Sequence, residues 1–165
     1  MASIAGFDYD SNGVFGVLVD EDNGGWLGQM QADLACGPGD AVARARRVRD
    51  LMPSRDGWAD AGVIAIGVES TFSRDFRATA ALARVQGAIL ACLPRDVPIH
   101  LLTANGRRKP GWKIQTIGTT TASKLEVRGW ALDHGAPDGL PQDFYDAFCI
   151  ARATRRLAAD QGGPR

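Results

Sequence analysis

The chain opens with three short apolar runs, separated by segments rich in Asp, Asn and Gly. Apolar and β-branched residues dominate Ser3–Tyr9, Val14–Val19 and Trp26–Gln31. Runs of this length and composition predict β-strands. The segment DEDNGG, which joins the second run to the third, contains Asn23-Gly24, a strong signal for a tight hairpin. The pattern therefore predicts an antiparallel start to a sheet.

Helical spacing replaces the strand pattern in two segments in the middle of the chain. Residues 40–52 carry arginines on one face and, on the other, apolar residues at helical spacing: Val42, Ala45, Val48 and Met52. Residues 78–92 are rich in Ala, Leu and Ile and precede Pro94, which stops a helix. The apolar runs 63–68, which ends at Glu69, and 98–102 have strand length instead. The middle of the chain therefore predicts two helices alternating with two strands.

A long polar segment separates these elements from the C-terminal part. Residues 103–121 are too polar and too rich in glycine and proline to predict an element, and loops of this length in compact domains are usually functional. A helix is predicted over 123–135, because Ser123 and Glu126 have capping-box spacing and Gly135 is a typical C-cap. A last helix is predicted over 142–158.

This order of elements, β-β-β-α-β-α-β-α-α, is typical of an antiparallel meander followed by right-handed crossovers. It predicts an α/β fold with a five-stranded mixed sheet and helices on both faces. No internal repeat or linker interrupts the order. We therefore expect a single domain over residues 1–160 and a flexible tail over 161–165.

Composition narrows the classes of protein that this pattern admits. The 165 residues carry 19 basic and 19 acidic side chains, so the formal net charge is zero. This balance argues against a protein that coats nucleic acid by charge alone, but not against a nuclease. The three cysteines are scattered and do not indicate a disulfide framework or a zinc site. Because the chain has neither an apolar run of about 18 residues nor a signal-peptide pattern, we expect a cytoplasmic protein without a membrane partner.

Positive charge is concentrated between residues 107 and 124. All three lysines lie there with an arginine pair: Arg107, Arg108, Lys109, Lys113 and Lys124. A metal-bound acidic site that works on DNA needs nearby cations to position the phosphate backbone, so we expect these residues to contact phosphates. The alternative is that they belong to a solvated loop.

Four acidic residues occupy positions that an α/β fold would bring together. Asp8 ends the first predicted strand, and Glu69 ends the fourth. Functional groups of open α/β sheets gather beyond the strand ends, so parallel neighbours would bring both carboxylates within reach of one ion. Asp143 and Asp146 are three residues apart on a predicted helix and therefore project from one face.

Carboxylates clustered without histidine or cysteine favour Mg²⁺ or Mn²⁺ over zinc. Two such ions would activate a water molecule and stabilise the leaving oxygen in phosphodiester cleavage. The sequence thus predicts a site for two metal ions formed by Asp8, Glu69, Asp143 and Asp146. The alternative for each acid taken alone is a cap or a solvated loop charge.

The segments that carry these acids resemble the RuvC-like Holliday junction resolvases, which have the RNase H fold. IAGFDYDSNG is similar to the family's first-strand motif, VIAIGVESTF to the strand with the catalytic glutamate and the phenylalanine after it, and DFYDAFCIA to its Asp-x-x-Asp-Ala pattern. RVQGAILACL and TASKLEVRGWA resemble the helix after that strand and the segment after the basic loop. The resemblance spans nearly the whole chain. Where the family has glycine after Asp-Pro, this chain has Tyr9, Asp10 and Ser11, which leaves the role of Asp10 open.

The resemblance implies a metal-dependent, structure-selective endonuclease that cleaves Holliday junctions or other branched DNA. Its catalytic and metal-binding acids would be Asp8, Glu69, Asp143 and Asp146. Lys124 takes the family's lysine position, and Phe72 would stack on unpaired bases unless it is a core aromatic. We also expect a homodimer formed chiefly through the helix 78–92, whose apolar residues exceed what one face against the sheet requires.

Two other functions stay open at this point. One is a catalytically silent DNA-binding protein with the same fold. The presence of all four acids argues against this alternative. The other is a nucleotide-binding module of the actin and sugar-kinase kind. That module would need glycine-rich phosphate loops in both halves of a longer chain.

Overall fold

The computed structural model describes residues 1–34, 40–70, 76–106 and 111–161, without the side chains of residues 76–78 and 161. This part of the chain contains five strands: β1 (Ser3–Tyr9), β2 (Gly13–Asp20), β3 (Trp26–Asp33), β4 (Val63–Glu69) and β5 (Ile99–Leu102). It contains six helices: α1 (Ala41–Leu51), α2 (Arg55–Asp60), α3 (Phe76–Cys92), α4 (Trp112–Thr116), α5 (Lys124–Asp133) and α6 (Gln142–Gln161).

The strands form one mixed sheet in the order β3-β2-β1-β4-β5. β1 pairs with β2 in antiparallel orientation and with β4 in parallel orientation, and β5 is parallel to β4. The predicted hairpin is present, and Gly24 takes the positive φ of 73° that its turn requires. The parallel pairing of β1 with β4, on which the predicted convergence of Asp8 and Glu69 depends, is therefore confirmed.

Two hydrophobic clusters lie on opposite faces of the sheet. On one face, Ile4 and Val17 pack with Phe148 of α6 and with residues of α4 and α5. On the other face, Phe7 and Ile66 pack with apolar residues of α1, α2 and α3. The expected arrangement of a five-stranded mixed sheet with helices on both faces is confirmed.

Two short helices were not predicted. α2 begins after Ser54, whose hydroxyl accepts a hydrogen bond from the Gly57 amide at 3.1 Å, and it buries Trp58. α4 lies inside the segment 103–121, so the prediction of a loop without regular structure there was wrong. The reason is Trp112, which is 1 % exposed and whose amide donates to the Thr103 carbonyl at 2.9 Å. One buried indole holds this polar segment against the sheet.

The apolar residues of α3 pack in two places within the chain. Val85 and Ile89 are buried in the chain's own core. Ala81 and Ala88 line the seam between α3 and α1, opposite Ala45. Part of the apolar surface of this helix is therefore covered by α1, and the dimer through residues 78–92 stays a prediction.

The C-terminal helices follow their sequence signals closely. The capping box of α5 is formed, because Ser123 and Glu126 exchange side-chain to backbone hydrogen bonds. α6 runs to Gln161, beyond the predicted end at residue 158, and residues 162–165 of the expected tail lie outside the described residues. Each helix that the structure describes is too short or too polar to be a membrane span.

Candidate active site at the ends of β1 and β4

The pairing of β1 with β4 ends one residue before the predicted acids. Phe7 and Val68 are the last paired residues, after which Asp8 and Glu69 follow on adjacent strands. Asp8 still pairs with Phe15 of β2, so its backbone is fixed on one side only. It is 8 % exposed, and Glu69 is half-buried. The two carboxyl groups therefore lie next to each other at the end of the β1–β4 ladder.

Helix α6 lies unusually close to this part of the sheet because two glycines make room for it. A Cβ atom on Gly6 would collide with the backbone of α6 at Ala147 and Ala151, and one on Gly67 would collide with Thr154. These two glycines are paired across β1 and β4. The absence of side chains there lets the first turns of α6 reach Asp8 and Glu69.

The first turns of α6 carry the other two predicted acids. Asp143 and Asp146 are both half-buried, and both raise the pKa of Asp8 through their charge. Gln142 donates a hydrogen bond from Nε2 to Oδ1 of Asp146 at 2.9 Å. Four carboxyl groups from three distant segments therefore lie within electrostatic range of one another.

Crowding of these acids changes their protonation. The pKa of Asp8 is raised well above its usual value, first by burial, then by a hydrogen bond from one carboxyl to the other in the Asp8–Glu69 pair, and then by the neighbouring negative charges. Burial and the three neighbouring acids therefore favour the protonated form of Asp8.

The two acids of α6 are also shifted. Burial is the main cause that raises the pKa of Asp146 to about 6, with Gln142 and Lys113 opposing the shift. The pKa of Asp143 is raised by burial and by the charge of Asp10, against the opposing charge of Lys124. Among the described residues, burial and the neighbouring acids outweigh Lys113 and Lys124 in setting the pKa values of these two acids.

Two of the predicted phosphate-binding lysines lie beside these acids. Lys113, on α4, lies close enough to Asp146 to lower its pKa, and its ammonium group donates to the Ala122 carbonyl at 3.0 Å. Lys124 is the first residue of α5 and lowers the pKa of Asp143. The burial of Trp112 fixes the helix that carries Lys113, and it excludes the indole from stacking on DNA.

The structure gives Asp10 a local role. Its Oδ1 accepts hydrogen bonds from the amides of Asn12 and Gly13 at 2.5 and 2.7 Å, which closes the turn between β1 and β2. Its charge nevertheless reaches Asp143 and raises the pKa of that carboxyl group. Asp10 is thus a turn residue at the rim of the acidic cluster.

The other residues that were predicted to bind DNA lie outside the described residues: Phe72, Arg107, Arg108 and Lys109.

The donor chemistry of the cluster fits a hard divalent cation. Within the described ranges, no three acidic, histidine or cysteine side chains are arranged so that they could hold a metal ion as they stand. The residues nevertheless offer only carboxylate oxygens, the ligands preferred by Mg²⁺ and Mn²⁺. Burial and neighbouring negative charges raise the pKa of Asp8, and a bound cation would relieve that repulsion. The cluster is therefore compatible with such an ion but is not a preformed cage.

Sequence reasoning missed three residues that support the site. Gln142 contacts Asp146, as described above, and the Glu69 carbonyl accepts hydrogen bonds from the Tyr9 hydroxyl and from Gln86 Nε2. Gln142 could have been found by its helical spacing of four residues from Asp146. No local pattern indicates the other two, because they join residues 60 and 17 positions apart.

Similarity to solved structures identifies the fold of this chain. No family model matches the chain, and no curated protein matches it. Among solved structures, the Thermus thermophilus RuvC structure matches with a TM-score of 0.75 and 19 % identity over 96 % of both chains. A second match is T. thermophilus RuvC in complex with a Holliday junction substrate, with a TM-score of 0.78 and 18 % identity over 98 % of this chain and 97 % of that one. The chain therefore has the RNase H-like fold of RuvC, as its sequence predicted.

Proposed function

We propose that this protein is a divalent-metal-dependent endonuclease that cleaves phosphodiester bonds in Holliday junctions or other branched DNA. The observation that carries the proposal is the pair Asp8 and Glu69, which lie on adjacent parallel strands just beyond their last paired residues, beside two further carboxyl groups from α6. Buried acids that repel one another destabilise a fold, and a cation relieves that repulsion. An acidic cluster of this kind is best explained as the binding site of a cation.

Each acid has a defined part in this proposal. Asp8, Glu69, Asp143 and Asp146 would hold Mg²⁺ or Mn²⁺, with two ions per site. When bound, such ions lower the pKa of a water molecule and stabilise the charge that develops on the leaving oxygen. Gln142 fixes the orientation of the Asp146 carboxyl group through its hydrogen bond. Burial of Asp8 keeps bulk water from competing at that carboxyl group.

The lysines beside the acids would hold the DNA. Lys113 and Lys124 lie on the side of the cluster that α4 and α5 form, where they counteract the charges of Asp146 and Asp143. In this position they would neutralise phosphate groups next to the cleaved bond. We assign the same role to Arg107, Arg108 and Lys109, and we assign to Phe72 the stacking on unpaired bases.

The choice of branched DNA rests on the fold neighbour. T. thermophilus RuvC, whose fold this chain shares over nearly its full length, has been solved in complex with a Holliday junction substrate. We extend that substrate to this chain, together with a homodimer that would place one site on each of two strands. Helix α3 would contribute to that interface, because Ala81, Ala88 and Cys92 are only partly buried within this chain.

The test is a cleavage assay with end-labelled DNA. A four-way junction, a replication fork, a flap and a linear duplex of the same sequence are each incubated with the protein in Mg²⁺, in Mn²⁺ and in EDTA. We expect cleavage of a branched substrate in either metal and none in EDTA, with the linear duplex intact.

Other outcomes identify the remaining alternatives. Tight junction binding without cleavage in either metal would indicate a silent DNA-binding protein. Failure to bind any of the four DNAs, combined with a rise of the thermal midpoint in ATP and Mg²⁺, would indicate a nucleotide-binding module. Either result would contradict the proposed function.

A further inference from the structure

The carbonyl of Glu69 accepts side-chain hydrogen bonds beyond the end of the β1–β4 ladder, in addition to the pairing of Glu69 with Leu102 of β5. Because the β1–β4 ladder ends at Phe7 and Val68, the carbonyl of Glu69 lies beyond the last pair. The Tyr9 hydroxyl donates to this carbonyl oxygen at 2.8 Å, and Gln86 Nε2 donates to it at 3.0 Å. Both lone pairs of the oxygen are thus used by side chains, one from β1 and one from α3.

The other side of the same peptide group is held as well. The amide of Ser70 donates to the Leu102 carbonyl of β5 at 2.7 Å. The plane that links Glu69 to Ser70 is therefore fixed from β1, α3 and β5 together. Since this plane and the one before it together determine the direction of the bond from Cα to Cβ, fixing it restricts where the Glu69 carboxyl group can reach.

The two donors are well placed to keep this geometry constant. Tyr9 is 7 % exposed and belongs to the hydrophobic cluster on the α3 side of the sheet, so its ring has little freedom to move. Gln86 is half-buried and lies one residue after Val85, which is in the same cluster. Neither side chain points to the carboxyl face of the site, since Tyr9 and Asp8 project to opposite faces of β1.

We propose that Tyr9 and Gln86 are positioning residues that hold Glu69 in place for metal binding and cleavage, acting on its carbonyl and not on substrate. This inference rests on the proposed function, because it assigns Glu69 to the metal site. Removing one of the two donors would let the end of β4 shift away from Asp8. Groups that orient the ligands of a metal typically change activity or metal affinity by about 10- to 100-fold when removed.

The test uses Tyr9→Phe, Gln86→Met and the double variant. Each change deletes a donor and keeps the approximate size of the side chain. Ser54→Ala serves as the matched control, because it removes a hydrogen bond from the cap of α2, which precedes the opposite end of β4. It therefore controls for a general loss of stability.

Two readouts are measured for every variant. The first is junction cleavage, with kcat and KM determined separately; we expect kcat to fall about 10-fold in each single variant and KM to stay within about twofold of wild type, since the phosphate contacts are intact. The second is the rise of the thermal midpoint with increasing Mn²⁺ in the absence of DNA. We expect the Mn²⁺ concentration at half of that rise to increase about 10-fold, whereas Ser54→Ala leaves it unchanged.

The two readouts separate failure of this inference from failure of the proposed function. If the wild type does not cut branched DNA but the variants still weaken the Mn²⁺ response, the positioning role stands and the nuclease assignment falls. If kcat and the Mn²⁺ response of the double variant match those of Ser54→Ala, the positioning role is overturned. A wild-type protein whose midpoint does not respond to Mn²⁺ would overturn both.

Discussion

Asp8 and Glu69 directly follow Phe7 and Val68, the last paired residues of β1 and β4, so their carboxyl groups lie within electrostatic range of each other. The charge of Glu69 helps to raise the pKa of Asp8. A cation bound at this point would relieve the repulsion, so protons and metal ions compete for the site. The expected effects of mutation, pH and metal follow from this competition.

Replacement of Asp8 by asparagine tests whether Asp8 is a metal ligand or a structural residue. Asp8→Asn removes one charge from a crowded group and keeps the shape of the side chain, so we expect a metal-free thermal midpoint at or above that of wild type near neutral pH. If Asp8 merely capped a turn, its loss would instead cost about 0.5–2 kcal/mol. Differential scanning calorimetry in EDTA measures the difference. A clearly lower midpoint for the variant would contradict the crowded-charge description.

The raised pKa of Asp146 makes the stability of the folded protein depend on pH. Because the pKa of Asp146 is about 6 in the folded state and its usual value is about 3.8, the folded protein binds more protons between these limits. Its stability therefore falls as pH rises through this window. We expect Asp146→Asn to be more stable than wild type above pH 6 in EDTA and equal to it below the lower limit.

Asp138, whose pKa is lowered and not raised, provides the control for the experiment on Asp146. Arg128 lowers the pKa of Asp138 through a hydrogen bond at 2.7 Å. This pair contributes stability above the usual pKa of aspartate and loses it as pH falls. Asp138→Asn should therefore be slightly less stable than wild type at neutral pH, as expected for an exposed pair. If both variants respond to pH in the same direction, the assigned cause of the Asp146 shift is wrong.

The close approach of α6 to the sheet depends on Gly6. A methyl group there would meet the backbone of Ala147 and Ala151, which cannot move without moving the helix that carries Asp146. We expect Gly6→Ala to destabilise the protein by about 1–3 kcal/mol or more and to weaken the Mn²⁺ response. Gly28→Ala on β3 is the matched control, because its Cβ would meet no atom within 4 Å. Equal urea midpoints for the two variants would show that the helix does not lie as close as described.

Much of this fold and site follows from local sequence signals. The Asn23-Gly24 hairpin, the Ser123 and Glu126 capping box and the strand ends at Asp8 and Glu69 are encoded by neighbouring residues. The short helix at Trp112 is not, because its stability comes from burial of one side chain in a core built by distant segments. The part of the apolar surface of α3 that α1 covers could not be predicted for the same reason, since only the tertiary structure shows α1 packing on it. The contacts of Tyr9 and Gln86 with Glu69 likewise depend on tertiary structure.

The lysines beside the acids should bind DNA without reading its sequence. Lys124→Gln removes one cation next to Asp143, so the slope of log affinity against log salt should decrease by about 0.7–0.9. Arg49→Gln on α1 is the control, because Arg49 is exposed and forms an ion pair with its neighbour Asp50 at 3.1 Å. Fluorescence anisotropy with a labelled junction in EDTA measures both. An unchanged slope for Lys124→Gln would remove this lysine from the proposed DNA interface.

Single-turnover cleavage of a four-way junction by wild type and Asp8→Asn, with junction affinity measured in EDTA for both proteins, tests the central claim most directly. We expect wild type to cleave in Mg²⁺ and the variant to lose several orders of magnitude in rate, because the loss of a shared ligand removes the metal and misplaces the attacking water. The variant should bind the junction at least as tightly as wild type in EDTA, because it repels phosphate less. A folded Asp8→Asn protein that cleaves at the wild-type rate would contradict the assignment of this site.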